Sequence, residues 1–187
     1  MRISKDPEIR KQEIIDTAMK LFSEKGYEFT SISDIAREMN VVSGLCYRYF
    51  KSKEELYKTA LNMYAEQCSA PIIRYLSQDY ENITDFLNQF SDFFLTHDGK
   101  QKYHNFFDNS KNEHFHRELD LIMIKSIEPY AVSLLEKWMK QKIINIDDPK
   151  YTAKFLLYGE MPIINDNSLS PEKKIELLKK FMLKLLM

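Results

Sequence analysis

Between Val41 and Lys53 the sequence reads V-V-S-G-L-C-Y-R-Y-F-K-S-K. It holds Arg48, Lys51 and Lys53, no acid, and three aromatic rings within four residues. These are groups that grip nucleic acid. Phenol hydroxyls and lysine ammonium groups reach phosphate oxygens, and a guanidinium offers paired donors to a guanine edge. A short helical pattern ending on Asn40 lies directly before this stretch. Two short helices joined by a tight turn, the second basic and aromatic, is how a helix is presented to a DNA groove.

Other chemistry is poorly supported. His97, His104, His114 and His116 invite a metal centre, with His104 and Asp108 on one helix face. No cysteine lies near them and the paired-His spacing of a zinc site is missing, so no metal is expected. There is no nucleophile elbow, phosphate-binding glycine loop or dinucleotide fingerprint, so neither an enzyme nor a cofactor is expected. Cys46 and Cys68 make no disulfide framework, and both fall on packed faces.

The elements that must position the basic stretch are helical throughout. The chain has 187 residues, 44% hydrophobic and 13% aromatic, with four glycines and six prolines, which suits long regular elements around a real core. The net charge of −1 gives no global pull toward nucleic acid, so a DNA reading rests on local charge. No apolar run resembles a signal peptide or a membrane span, and a soluble, cytoplasmic protein is expected.

Ile14, Ile15, Ala18, Leu21 and Phe22 share one face of a helix from Pro7 to Lys25, opened by Asp6-Pro7 and stopped by Gly26. Ser31 and Asp34 have capping-box spacing at the start of a second helix, with Asn40 at the left-handed turn and Val41 plugging into the core. Residues 43–50 form the third helix, and Ser52 caps a fourth that Pro71 kinks or ends. Helical stripes then recur over 83–98, 100–111, 113–138 (with a kink or break at Pro129), 149–164 (disturbed at its end by Pro162) and 170–186. The expectation is an all-α chain of about nine helices. Residues 1–52 would form a three-helix helix-turn-helix domain, and 53–187 a helical ligand-binding and dimerisation domain.

Arg10, Ile14, Ala18, Leu21-Phe22, Gly26-Tyr27, Ser31-Ile32, Ile35-Ala36, Val41, Gly44, Tyr47, Tyr49-Phe50, Lys53 and Leu56 together resemble the N-terminal domain of the tetracycline-repressor (TetR) family of transcriptional regulators. The resemblance covers roughly residues 8 to 57; beyond residue 60 it is architectural only. It implies that 31–38 and 43–50 are a helix-turn-helix with the second helix in the major groove. Ser31, Tyr47, Tyr49 and Lys53 would then hold phosphate, while Ser43, Gly44, Leu45 and Arg48 would face the bases. Two positions depart from the family pattern. Val42 stands where a serine usually caps the third helix, and Leu45 can touch a thymine methyl but makes no hydrogen bond.

The family's second domain usually binds a ligand and dimerises. Here Phe90, Phe93, Phe94, Tyr103, Phe106, Phe107, Tyr130 and Trp138 are more ring surface than a small bundle needs, and with Met123 they are candidates to line an apolar ligand cavity. The last two helices, ending in Met182, Leu185, Leu186 and Met187, would pair with their copies in a homodimer. The resulting expectation is a ligand-responsive repressor that binds a near-palindromic double-stranded DNA operator and is released by a small, largely apolar effector. The competing reading is a helical ligand-binding or protein-interaction module without specific DNA binding.

Overall fold

The computed structural model describes residues 6–97 and 113–187, and among these every regular element is a helix. In order they are α1 (Pro7–Lys25), α2 (Ile32–Glu38), α3 (Ser43–Tyr49), α4 (Lys53–Leu76), α5 (Ile83–His97), α6 (Glu113–Lys140), α7 (Pro149–Ile164) and α8 (Pro171–Leu186). The helix expected over 100–111 lies outside the described residues, as do Tyr103, His104, Phe106 and Phe107. The chain forms two compact units: Met1–Ala65 with Gln101–Leu119, and Glu66–Lys100 with Asp120–Met187. No helix among the described residues is long and apolar enough to cross a membrane.

The first unit follows its capping signals closely. The Asp6 carboxylate accepts the Glu8 N–H at 2.8 Å, Pro7 opens α1, and Gly26 ends it at φ 92°, a conformation that favours glycine. Ile14, Ile15, Ala18, Leu21 and Phe22 are all buried. At α2 the Ser31 hydroxyl accepts from the Asp34 N–H while the Asp34 carboxylate accepts from the Ser31 N–H, a complete capping box. Asn40 takes φ 54° in the turn, and the Val41 N–H then returns to the Ala36 carbonyl at 2.9 Å. Val41, expected in the core, is only half-buried. Its backbone closes the turn, and Cys46 and Phe50 dock α3 instead.

The first turns of α4 also belong to this unit. Leu56, Tyr57, Ala60, Leu61, Tyr64 and Ala65 are buried, and the compact unit extends to Ala65. Tyr57 donates to the Glu118 carboxylate at 3.1 Å, which ties α4 to the start of α6.

The second unit gathers around Trp138. Its indole meets the Phe86 ring edge-on at 5.0 Å, with Tyr80, Leu134, Leu135, Leu178 and Met182 in the same cluster. Tyr75 donates to the Phe86 carbonyl and Tyr80 to the Tyr75 carbonyl, so buried phenols lace α4 to α5. Pro71, Pro129 and Pro162 all sit inside helices that run on past them. Of the alternatives expected at Pro71 (a kink or an end) and Pro129 (a kink or a break), the end and the break are corrected, while α7 ends two residues after Pro162, where a disturbed end was expected. A proline removes one i→i−4 hydrogen bond, but at Pro71 and Pro129 the helical turns on either side outweigh that local loss.

Candidate nucleic-acid interface

Helix α3 has an inner and an outer side. Cys46 is fully buried, which pushes its thiol pKa up, and Phe50 is buried just beyond the helix end. Gly44, Tyr47 and Arg48 face outward, with Tyr47 53% exposed. Ser43, Leu45 and Tyr49 are half-buried on the flanks. The expected base-facing set is therefore split: Gly44 and Arg48 stand fully out, while Ser43 and Leu45 lie at the edge.

Gly44 has nothing within 4 Å of where a Cβ would sit, so the fold does not require a glycine there. A bare backbone at this exposed position would let another surface come close. Among the described residues no carboxylate pairs with Arg48, so its guanidinium is free to meet an outside acceptor.

Two expected phosphate ligands are already engaged within the domain. The Ser31 hydroxyl donates to the Asp34 carboxylate at 2.6 Å while accepting the Asp34 N–H. Those bonds from Ser31, with help from Arg37, hold the Asp34 carboxyl below its usual range, so a negative charge stands in front of α2. Lys53 donates to the Tyr27 carbonyl at 2.9 Å and lies 4.2 Å from the centre of the Tyr27 ring. Tyr27 packs in turn on Phe22 and Tyr57, at 5.1 and 5.2 Å between ring centres. Sequence reasoning noted Gly26-Tyr27 but not this clamp; an aromatic directly after a helix-stopping glycine was the available signal.

Val42 is the N-cap of α3, makes no side-chain cap bond, and is 73% exposed. Ser43 does not take over the cap: it is the first helical residue, and its hydroxyl donates to the Ser33 hydroxyl at 3.4 Å. Val42→Ser is expected to stabilise the domain by about 0.5–1 kcal/mol, read as a higher melting temperature. Gly44→Ala is expected to add a similar gain of about 0.5–1 kcal/mol while weakening any association that needs close approach to α3.

Residues 14–60 match the family model for bacterial regulatory proteins of the tetR family. Those residues are thus similar to the N-terminal domain of TetR-family regulators. Over 60 residues it is 45% identical to the uncharacterized HTH-type transcriptional regulator YuxN of Bacillus subtilis, covering 32% of this chain and 21% of that one. Over 72 residues it is 35% identical to the biofilm operon icaADBC HTH-type negative transcriptional regulator IcaR of Staphylococcus epidermidis, covering 38% and 37%. The chain thus matches well under half the length of these two relatives. In fold it is similar across 95% of its length, and 96% of the other chain, to a solved structure titled flavonoid-responsive regulator FrrA, with a TM-score of 0.65 and 25% identity. The TetR-type resemblance and the all-helical architecture expected from the sequence both hold.

The expected ligand-lining residues separate in the second unit. Phe93 stacks on Tyr75 at 4.9 Å, and Phe90, Phe93 and Phe94 are half-buried, as is Met123. Tyr130 is exposed. Trp138 is 1% exposed and belongs to the core cluster, so its ring surface is taken up by the protein itself. A shallow, open cleft of about 380 Å³, lined by residues that include Met139, Ile143, Leu186 and Met187, contains none of the expected ligand residues.

Proposed function

We propose that this chain is a homodimeric transcriptional repressor that binds double-stranded DNA through α3 and is released by a small, largely apolar effector held in its second unit. The outward face of α3 carries this reading. Gly44, Tyr47 and Arg48 stand unobstructed on a TetR-type helix-turn-helix, with Tyr49 and Lys53 beside them. Arg48 would read a guanine edge while Tyr47, Tyr49 and Lys53 hold phosphate. Ser31 would contribute its place at the start of α2, its hydroxyl being shared with Asp34. IcaR, a negative transcriptional regulator by name, supports repression, and FrrA, a flavonoid-responsive regulator by name, supports an effector.

The last two helices remain the pairing surface in this reading, but Met182 and Leu186, expected on it, are buried in the protomer's own core. Tyr151, Phe155 and Tyr158 stand exposed at positions i, i+4 and i+7 of α7, with Phe181 and Leu185 on α8, which packs beside it. Two adjacent helices with an uncovered aromatic stripe suit pairing with their own copies in a four-helix bundle. Two-fold symmetry would then set the α3 helices about 34–36 Å apart, one turn of DNA.

A gel-shift titration on DNA upstream of the chain's own gene tests the reading. Binding is expected to weaken steeply with salt as phosphate counterions are released. Arg48→Ala is expected to lose about 1–3 kcal/mol of preference for the specific site. Lys53→Ala is expected to weaken specific and non-specific binding alike and flatten the salt slope by about one unit. Binding that is absent, or indifferent to salt, would favour the interaction-module reading instead.

A further inference from the structure

The residues that open α3 present an apolar edge. Val42 precedes the helix with extended backbone, φ −78° and ψ 143°, and its side chain is 73% exposed. Its carbonyl accepts the Leu45 N–H at 2.9 Å, which draws Val42 and Leu45 into one turn. Gly44 lies between them, with open space where a Cβ would sit. The only hydroxyl in this turn, on Ser43, is directed to α2, where it donates to the Ser33 hydroxyl at 3.4 Å. Exposed hydrogen-bonding side chains begin one turn later, with Tyr47 and Arg48.

A lone exposed valine is ordinary on a protein surface. At an N-cap it carries a cost, because a serine, threonine, aspartate or asparagine there would bond a backbone N–H, and Val42 makes no such bond. The domain's core does not call for it either, since Cys46 and Phe50 dock α3 from the buried side. The major groove displays one apolar feature to such a surface, the thymine 5-methyl; the other base-edge signals there are hydrogen-bond donors and acceptors. The N-terminal residues of a recognition helix are the ones set against base edges. Bare backbone at Gly44 admits the close approach that contact with a methyl group needs.

We infer that Val42 is a specificity-determining residue that reads a thymine 5-methyl group in each half-site. Leu45, three residues on and half-buried, continues the same apolar edge toward Arg48 and its guanine. A cytosine in the thymine's place lacks the methyl and brings an amino donor that Val42 would leave unpaired, so it is rejected on both counts. The inference rests on the DNA-binding reading above and names the base feature that the first turn of α3 selects.

The full-length protein is used to select a binding site from a pool of random duplex DNA. Each thymine of the recovered site is then replaced in turn by deoxyuridine, which pairs identically and lacks only the 5-methyl. Affinity is measured by fluorescence anisotropy at one fixed salt concentration. Uracil at one thymine per half-site is expected to weaken wild-type binding about threefold to fivefold, the loss of one buried methyl. Val42→Ser, which removes both valine methyls while supplying the missing cap, is expected to bind the thymine and uracil duplexes equally. Val42→Ile keeps the apolar contact and is expected to keep the penalty. The melting temperature of the serine variant, expected at or above that of wild type, separates a lost contact from a lost fold. A recovered site with no uracil-sensitive thymine, or a penalty that persists undiminished in Val42→Ser, overturns the inference and leaves the DNA-binding reading standing. Recovery of no site, or binding indifferent to salt, overturns the DNA-binding reading and the inference with it.

Discussion

Glu160→Met is expected to melt at a higher temperature than wild type, with the gap widening as pH rises from about 5 to 8. In the unfolded chain the Glu160 carboxyl ionises near about 4.3. In the fold it holds its proton up to about 8. Between those values the folded state binds the additional proton, so wild-type stability falls with rising pH and levels off above the window. The slope is at most about 1.4 kcal/mol per pH unit, and the partly open surface reduces it. Since 1 kcal/mol moves the melting point by about 2–4 °C at this chain length, the gap should reach several degrees by pH 8. Lys154, Glu128 and Asp120, the charged groups flanking Glu160, are unchanged in the variant. Asp34, Glu38, Glu54 and Asp166 are held below the usual carboxylate range, so their contributions are lost only at lower pH, and equally in both proteins. Parallel pH profiles for wild type and variant would refute the linkage.

Trp138→Ala is expected to cost about 3–5 kcal/mol, because it empties the centre of the second unit's core and strips Phe86 and Tyr80 of their edge-on partner. Trp138→Phe should behave quite differently. The indole N–H is buried without an acceptor, so removing it relieves a penalty that offsets much of the lost area, and a net change within about 1 kcal/mol is expected. Urea titrations of the two variants measure the contrast. A phenylalanine variant as unstable as the alanine one would mean that the indole makes a hydrogen bond after all.

How much of this was legible in the residues varied along the chain. Where a local rule sets the structure, the sequence showed it. Asp6-Pro7, Gly26, the Ser31/Asp34 box, Asn40 and Ser52 act within a few residues of backbone, and each caps or turns as its spacing implies. Proline left alternatives open for the converse reason. Whether α4 and α6 end at Pro71 and Pro129 is decided by packing on both sides, which no local window contains. In the candidate site, burial of Cys46 and Phe50 followed from helical spacing, but the engagement of Lys53 by Tyr27 joins residues 26 apart. The apolar stripe of α8 was plain, yet the pattern alone did not say that Met182 and Leu186 face inward while Phe181 and Leu185 face out. Glu160 escaped notice because one acid among helical apolar residues reads as solvated until the neighbouring helices are in place.

The hold of Tyr27 on Lys53 has a consequence for the energetics of meeting DNA. A free lysine side chain gives up close to ~2 kcal/mol of rotamer freedom when a phosphate fixes it. Here the carbonyl and ring of Tyr27 have fixed the ammonium during folding, with two of its three N–H donors still to give. That ordering is thus charged to the fold rather than to the encounter, and the phosphate meets a lysine already set in place.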